Sequence, residues 1–191
     1  MALPAGRWAR YRSVMPPRRP PIIIDIEASG FGSGSYPIEI GVVMDDGRKY
    51  CSLIQPRDDW THWDPRAEKV HGIARDTLLA NGRPVFEVAG KLNDLLRGCT
   101  AYSDGWVVDR PWLDQLYAAA SMRCEFTLSP LEMILSEPQM AAWADTKRML
   151  LAENCEPRHR ASNDALVVQE TFERTREALT ANIANPRQGL P

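Results

Sequence analysis

The 191-residue sequence predicts an α/β sandwich, a mixed five-stranded sheet flanked by helices. Three observations carry that prediction. The β-branched run Ile22-Ile23-Ile24-Asp25-Ile26-Glu27 suits a buried strand. Asp46-Gly47 separates two further strand-like segments as a tight hairpin turn. Beyond residue 84, segments with helical spacing alternate with short strand-like ones, giving the order βββαβαβαα without an internal repeat.

The compact domain is expected to begin at residue 21, where the proline punctuation Pro16, Pro17, Pro20 and Pro21 ends. After the first strand comes a Gly/Ser loop from Gly30 to Ser35. Ile38 to Met44 is the second strand, and Lys49 to Ile54 returns as the third, so three antiparallel strands open the fold. Asp64-Pro65 signals a helix start before Ala67 to His71, and Gly72 stops it. From Pro84, the apolar residues Val85, Val88, Leu92, Leu95 and Leu96 follow helical spacing, closed by Gly98. Thr100 to Ser103 is a fourth strand, followed by a helix from about Asp109 to Met122. Cys124 to Leu128 is the expected fifth strand, Thr146 to Glu153 a helix, and Ala161 to about Leu179 a long final helix. The domain therefore spans residues 21–180, with a Pro/Arg-rich arm over 1–20 and a tail over 181–191.

Composition narrows the function classes. The chain carries 23 Lys+Arg against 25 Asp+Glu, and its 44% hydrophobic share is that of a globular domain, not of a disordered or fibrous chain. The charge is uneven. Residues 1–20 hold five arginines and no acid, which leaves 18 basic against 25 acidic residues, a balance of −7, in residues 21–191. Such a body does not wrap a polyanion by its surface field. The four cysteines (Cys51, Cys99, Cys124, Cys155) form no Cys-x-x-Cys pair, and they read as reduced thiols. No apolar run approaches the roughly 20 residues of a membrane helix. The expected location is therefore cytoplasmic, away from membranes. An Arg-rich, acid-free start also fits an organelle transit peptide, weakly, since residues 1–20 contain one Ser.

The chemistry-bearing residues fall in three places. Asp25 and Glu27 are two apart in a strand, so both carboxylates point to one face of the sheet in an otherwise apolar segment. Two like charges side by side are costly to bury unless a cation neutralises them, although acids at a strand end also occur simply hydrated. Asp109 follows the fourth strand near a helix start, where a helix N-cap is an equally good reading. His159 and Asp164 would stand roughly 140° apart on an ideal helix, so His159 belongs to the preceding loop if both face one site.

Taken in order, Asp25-x-Glu27, Asp109 and His159-x4-Asp164 resemble the DEDDh (DnaQ-like) 3′→5′ exonucleases, a family of the ribonuclease H-like superfamily. Ala28-Ser29-Gly30, Ile38-Glu39-Ile40-Gly41, Val70-His71-Gly72-Ile73, Asp145-Thr146 and Ala165 agree, so the resemblance spans about residues 21–175. The tyrosine-type subclass is disfavoured because its tyrosine position holds Arg160. The resemblance implies the ribonuclease H-like fold and two divalent cations, Mg²⁺ or Mn²⁺. These would be held by Asp25, Glu27, Asp109 and Asp164, with His159 as general base. It implies hydrolysis at the 3′ end of single-stranded DNA or RNA, releasing nucleoside 5′-monophosphates; stand-alone relatives are commonly homodimers. Ala28, Ser29, Phe31 and Trp106 become candidate substrate contacts, the two aromatics as stacking platforms or equally as core. Glu39 and Asp104 become candidate supports behind the acids. Where many relatives have His-Asn before the motif II acid, this chain has Asp104-Gly105. The alternatives are an oligoribonuclease acting on short RNA and a non-catalytic nucleic-acid-binding relative within a polymerase or repair assembly. His62 and His71 read as structural.

Overall fold

The computed structural model describes residues 19–153 and 159–184, with side chains as far as residue 178. Most of the N-terminal arm, the end of the tail, Cys155 and Pro157 lie outside the described residues. Five strands form one sheet: β1 (Ile22–Ala28), β2 (Pro37–Val43), β3 (Lys49–Leu53), β4 (Thr100–Ser103) and β5 (Thr127–Pro130). Their spatial order is β3-β2-β1-β4-β5. The first three pair antiparallel, whereas β4 lies parallel to β1 and β5 parallel to β4, so the sheet is mixed as expected. Among the described residues six α-helices accompany it: α1 (Pro65–His71), α2 (Arg75–Asn81), α3 (Val85–Leu96), α4 (Trp106–Ala119), α5 (Glu137–Glu153) and α6 (Ala161–Ala184).

Strand alternation divides the core. Ile22, Ile24, Ile26 and Ala28 of β1, with Ile38, Ile40 and Val42 of β2, pack against α3 and α4 through Val88, Leu92, Leu96, Leu113 and Leu116. The opposite face carries Ile23 and Val43, covered by Ala165, Val168 and Phe172 of α6. Asp25 and Glu27 share the parity of Ile23, so period 2 sends them to the α6 side. Glu39 and Gly41 share the parity of Val43 and face the same way. α6 reaches the sheet at Gly41, where an added Cβ would stand 2.2 Å from both the Ala161 carbonyl carbon and the Ser162 nitrogen. Gly41→Ala therefore forces backbone apart. We expect a loss on the order of 3 kcal/mol in urea unfolding, since overpacking against backbone has no soft partner to yield.

Local signals explain the early elements. Asp64 caps α1 by accepting a hydrogen bond from the Arg66 amide at 2.8 Å, Pro65 opens the helix, and Gly72 ends it at φ 68°. The hairpin between β2 and β3 turns at Gly47, φ 83°.

Four expectations need correction. α2 lies between Gly72 and Pro84, where no element was expected. α4 starts at Trp106, three residues before the expected start near Asp109, and Pro111 sits inside it. β5 is Thr127–Pro130, shifted three residues from the expected start at Cys124; its register is set by pairing with β4, Thr100 opposite Thr127. α5 starts at Glu137, nine residues before Thr146. It packs mainly on α6 and buries only Gln139 and Leu150, so no apolar stripe announced it. Among the described residues no helix is long and apolar enough to cross a membrane.

Candidate active site

Asp25 and Glu27 from β1, Asp109 from α4, His159 just before α6 and Asp164 from the first turn of α6 line one cleft of about 550 Å³. The chain brings them there by three separate routes. β1 is the central strand, and its alternation aims both acids at one side. Asp109 is inside the first turns of α4, not at its cap. Its carboxylate accepts a hydrogen bond from the Ser103 hydroxyl at the end of β4 and another from the Ile26 amide. Ser103 in turn accepts from the Gly105 amide at 2.9 Å, tying the strand end to the helix start. His159 precedes α6 with a left-handed backbone, φ 59°, and so lies off the helix, as the 140° argument requires.

Glu39 and Arg160 hold the α6 terminus. The Glu39 carboxylate is 0% exposed. It accepts from Arg160 Nε at 3.1 Å to each oxygen, from Arg160 Nη2 at 2.5 Å and from the Ala161 amide at 2.9 Å. This carboxylate faces the residue beside His159 and does not line the cleft. Arg160→Ala would leave a buried carboxylate without its cation, and we expect a loss of about 3 kcal/mol in denaturant unfolding. Asp104 pairs with Lys147 of α5 beside the acids.

The electrostatics are those of a site short of positive charge. Burial, then Asp109, Glu27, Asp164 and Asp104, push the Asp25 carboxyl well above the usual carboxylate range. Burial and the neighbouring Asp164, Glu39 and Asp109 raise Glu27 to about 7, with Arg160 opposing. Burial raises Asp109, only 3% exposed, to about 7 against the pull of the Ser103 hydroxyl. A ligand atom from each of Glu27, His159 and Asp164 lies within 4.8 Å of the others. His159 Nδ1 is 3.9 Å from Asp164 Oδ2. Hard oxygen donors crowded to the point of mutual repulsion fit a divalent cation.

The other cleft walls are mostly apolar and aromatic, with Ala28, Phe31, Val70, Val108 and Trp112 and with His71 between, but they also carry the Asp64–Arg66 ion pair. Phe31 is 75% exposed, 6.4 Å from the Trp112 ring centre to centre, and free to meet a ligand. Two expected substrate contacts are elsewhere. Trp106 packs against the core, and its indole N–H donates to the Leu128 carbonyl at 3.1 Å, pinning α4 to β5. Ser29 is buried, with its hydroxyl engaged by His62 Nδ1 and the Tyr36 amide, both at 3.1 Å. Trp112 and Val108 line the cleft without having been expected there, and Val70 and His71, part of a stretch that agrees with the family, line it too although His71 reads as structural in the sequence. The His71 ring, read as structural, accepts from the Ile73 amide at 3.0 Å through Nδ1.

No family model and no curated protein matches the sequence. Among solved structures the fold is similar to exonuclease I from Methylocaldum szegediense, 13% identical over 88% of this chain and 43% of that one, with a TM-score of 0.64. It is also similar to E. coli exonuclease I in complex with a dA16 oligonucleotide, 14% identical over 84% of this chain and 43% of that chain, TM-score 0.60. A zinc-bound form of the E. coli exonuclease–ssDNA complex gives 14% identity over 87% of this chain and 41% of that one, TM-score 0.59. The chain spans less than half the length of these structures. The architecture is the ribonuclease H-like α/β fold.

Proposed function

We propose that this chain is a metal-dependent 3′→5′ exonuclease of the DEDDh type. It would hydrolyse the terminal phosphodiester of single-stranded DNA or RNA and release nucleoside 5′-monophosphates. The observation that carries this reading is the convergence of Asp25, Glu27, Asp109 and Asp164, from three distant parts of the chain, with His159 in one cleft. Similarity of fold to exonucleases whose complexes contain oligonucleotides supports it.

Asp25, Glu27, Asp109 and Asp164 would hold two divalent cations, Mg²⁺ or Mn²⁺. Such ions, when bound, neutralise charge on the phosphate and make water acidic enough to attack at neutral pH. The chain's own part is positioning and proton transfer. His159 stands with Nδ1 3.9 Å from Asp164 Oδ2, and its imidazole would accept the proton of the attacking water. The Glu39–Arg160 pair keeps that ring in place. Phe31 and Trp112 offer aromatic surface to the terminal base, and stacking of this kind tolerates any base. A terminal nucleotide must leave its stack to enter the cleft, which favours single strands.

The test is a product assay with matched 3′-labelled and 5′-labelled DNA and RNA oligonucleotides in Mg²⁺ or Mn²⁺. Stepwise shortening from the 3′ end with mononucleotide 5′-phosphates is expected. Internal fragments, or cleavage unaffected by chelator, would refute the assignment.

A further inference from the structure

One polar atom of the cleft has no part in holding cations or moving protons. The Ile73 amide donates to His71 Nδ1 at 3.0 Å, which makes Nδ1 the acceptor nitrogen of the ring. The imidazole proton therefore sits on Nε2. Burial lowers the His71 pKa, so the ring stays neutral near pH 7 and keeps that tautomer. Nε2 is buried and has no hydrogen-bond partner among the described residues. His71 is 4% exposed, so bulk water does not stand in for one. A buried N–H without an acceptor is costly, and folded proteins keep few of them.

The place of this donor limits what it can meet. His71 ends α1 and lines the same cleft as the four acids. The Trp63 ring packs edge-on against it at 6.1 Å, and the Trp63 indole N–H donates to Glu68 at 2.6 Å, so the imidazole is held in one orientation. His159 and Arg160 are among the charges that reach His71, which sets it close to the acids. Phe31 and Trp112 are the surface offered to a base. A nucleotide whose phosphate meets the acids and whose base meets those rings lays its sugar between them, against His71. The 3′-hydroxyl is the group by which a terminal sugar differs from every internal one. Its oxygen accepts a hydrogen bond while its proton stays free to donate.

We infer that His71 reads the strand end, an assignment that rests on the exonuclease reading: its Nε2–H donates to the 3′-hydroxyl oxygen of the departing nucleotide. A site built around such a bond rejects an analogue that lacks the partner, because the buried donor is then left unpaired. An end without the hydroxyl is therefore a poor substrate.

The experiment measures removal of the first nucleotide from 5′-labelled oligodeoxynucleotides ending in an ordinary 3′-hydroxyl, in a 2′,3′-dideoxynucleotide or in a ribonucleotide, with Mg²⁺ or Mn²⁺. The proteins are the wild type, His71→Asn and His71→Gln. Asn places its carbonyl oxygen where Nδ1 stands and still accepts the Ile73 amide, but has no donor at the Nε2 position; Gln places its amide nitrogen near Nε2. Thermal melting confirms that both variants are folded. The wild type is expected to favour the 3′-hydroxyl end over the dideoxy end by about tenfold in kcat/KM. In His71→Asn that preference falls to near unity through slower removal of the hydroxyl end, and in His71→Gln much of it returns. A preference unchanged in His71→Asn overturns the assignment. An equal loss on both ends makes His71 a structural residue and also overturns it. A preference for the ribonucleotide end that disappears in His71→Asn, with the 3′-hydroxyl preference kept, places the N–H at the 2′-oxygen and does the same. A wild-type protein that removes no nucleotide from any of the three refutes the exonuclease reading itself, a separate result.

Discussion

Asp25→Ala is expected to lower exonuclease turnover at least about a thousandfold while the protein stays folded. Asp25 lies on the central strand, lines the cleft, and is the carboxylate on which Asp109, Glu27, Asp164 and Asp104 all press. It is thus the acid placed to touch whatever cation the others hold. Loss of one preorganised charge-stabilising group in an enclosed site typically costs a hundredfold to a thousandfold, and loss of a cation position costs more. The same substitution removes a buried like charge. The metal-free variant should therefore melt above the metal-free wild type at pH 8, which separates a catalytic defect from misfolding. Initial rates on a labelled oligonucleotide with circular dichroism melting check both halves. An Asp25→Ala protein with wild-type rates would remove the catalytic assignment.

The second large effect is on stability. Glu27 and Asp109 are held near 7 in the folded protein, whereas carboxylates in an unfolded chain titrate near 4. Below about pH 4 both states carry these protons and the contribution is fully present. Between about 4 and 7 the unfolded chain releases them first, so stability falls as pH rises and is lost above about 7. For Asp109 the full shift corresponds to on the order of 4 kcal/mol, or roughly 8–16 °C in Tm for a domain of this size; the acids share one field, so their shares do not add. Metal-free protein is thus expected to melt markedly lower at pH 8 than at pH 5. Adding Mg²⁺ or Mn²⁺ at pH 8 should restore the difference, because a ligand that binds only the folded state stabilises it. Equal Tm at pH 5 and 8 without metal would show that the acids are not confined as described.

Much of this was legible in the sequence, for identifiable reasons. The hydrophobic run around Asp25 and Glu27 fixed their common face, because strand parity is local. Asp64-Pro65 and Gly72 marked α1 because caps act within a few residues. The gap between His159 and Asp164 placed the histidine off the helix once both were taken to face one site. Other features depend on distant chain. Asp109 resembled a cap until Ser103 and the Ile26 amide supplied its partners. Trp106 resembled a stacking platform until the Leu128 carbonyl accepted its N–H. Lys147 stood in a helix whose start was invisible because almost none of its surface is buried, so nothing linked it to Asp104, 43 residues earlier. Glu39 and Arg160 meet across 121 residues, a pairing no local pattern reports.

That long-range pairing bears on how the protein breathes. α6 brings Asp164 and His159 to acids laid down by β1, and β2 grips it through Glu39 and Gly41. Like-charge repulsion is therefore felt in full only when α6 is seated. Transient lifting of α6 relieves that repulsion in metal-free protein, whereas bound cations oppose it. The same excursion separates the donors of Glu27 from those of His159 and Asp164, making it a route for cation escape. Amide hydrogen exchange in α6 should accordingly slow on metal addition far more than exchange in α3, which packs on the opposite face of the sheet.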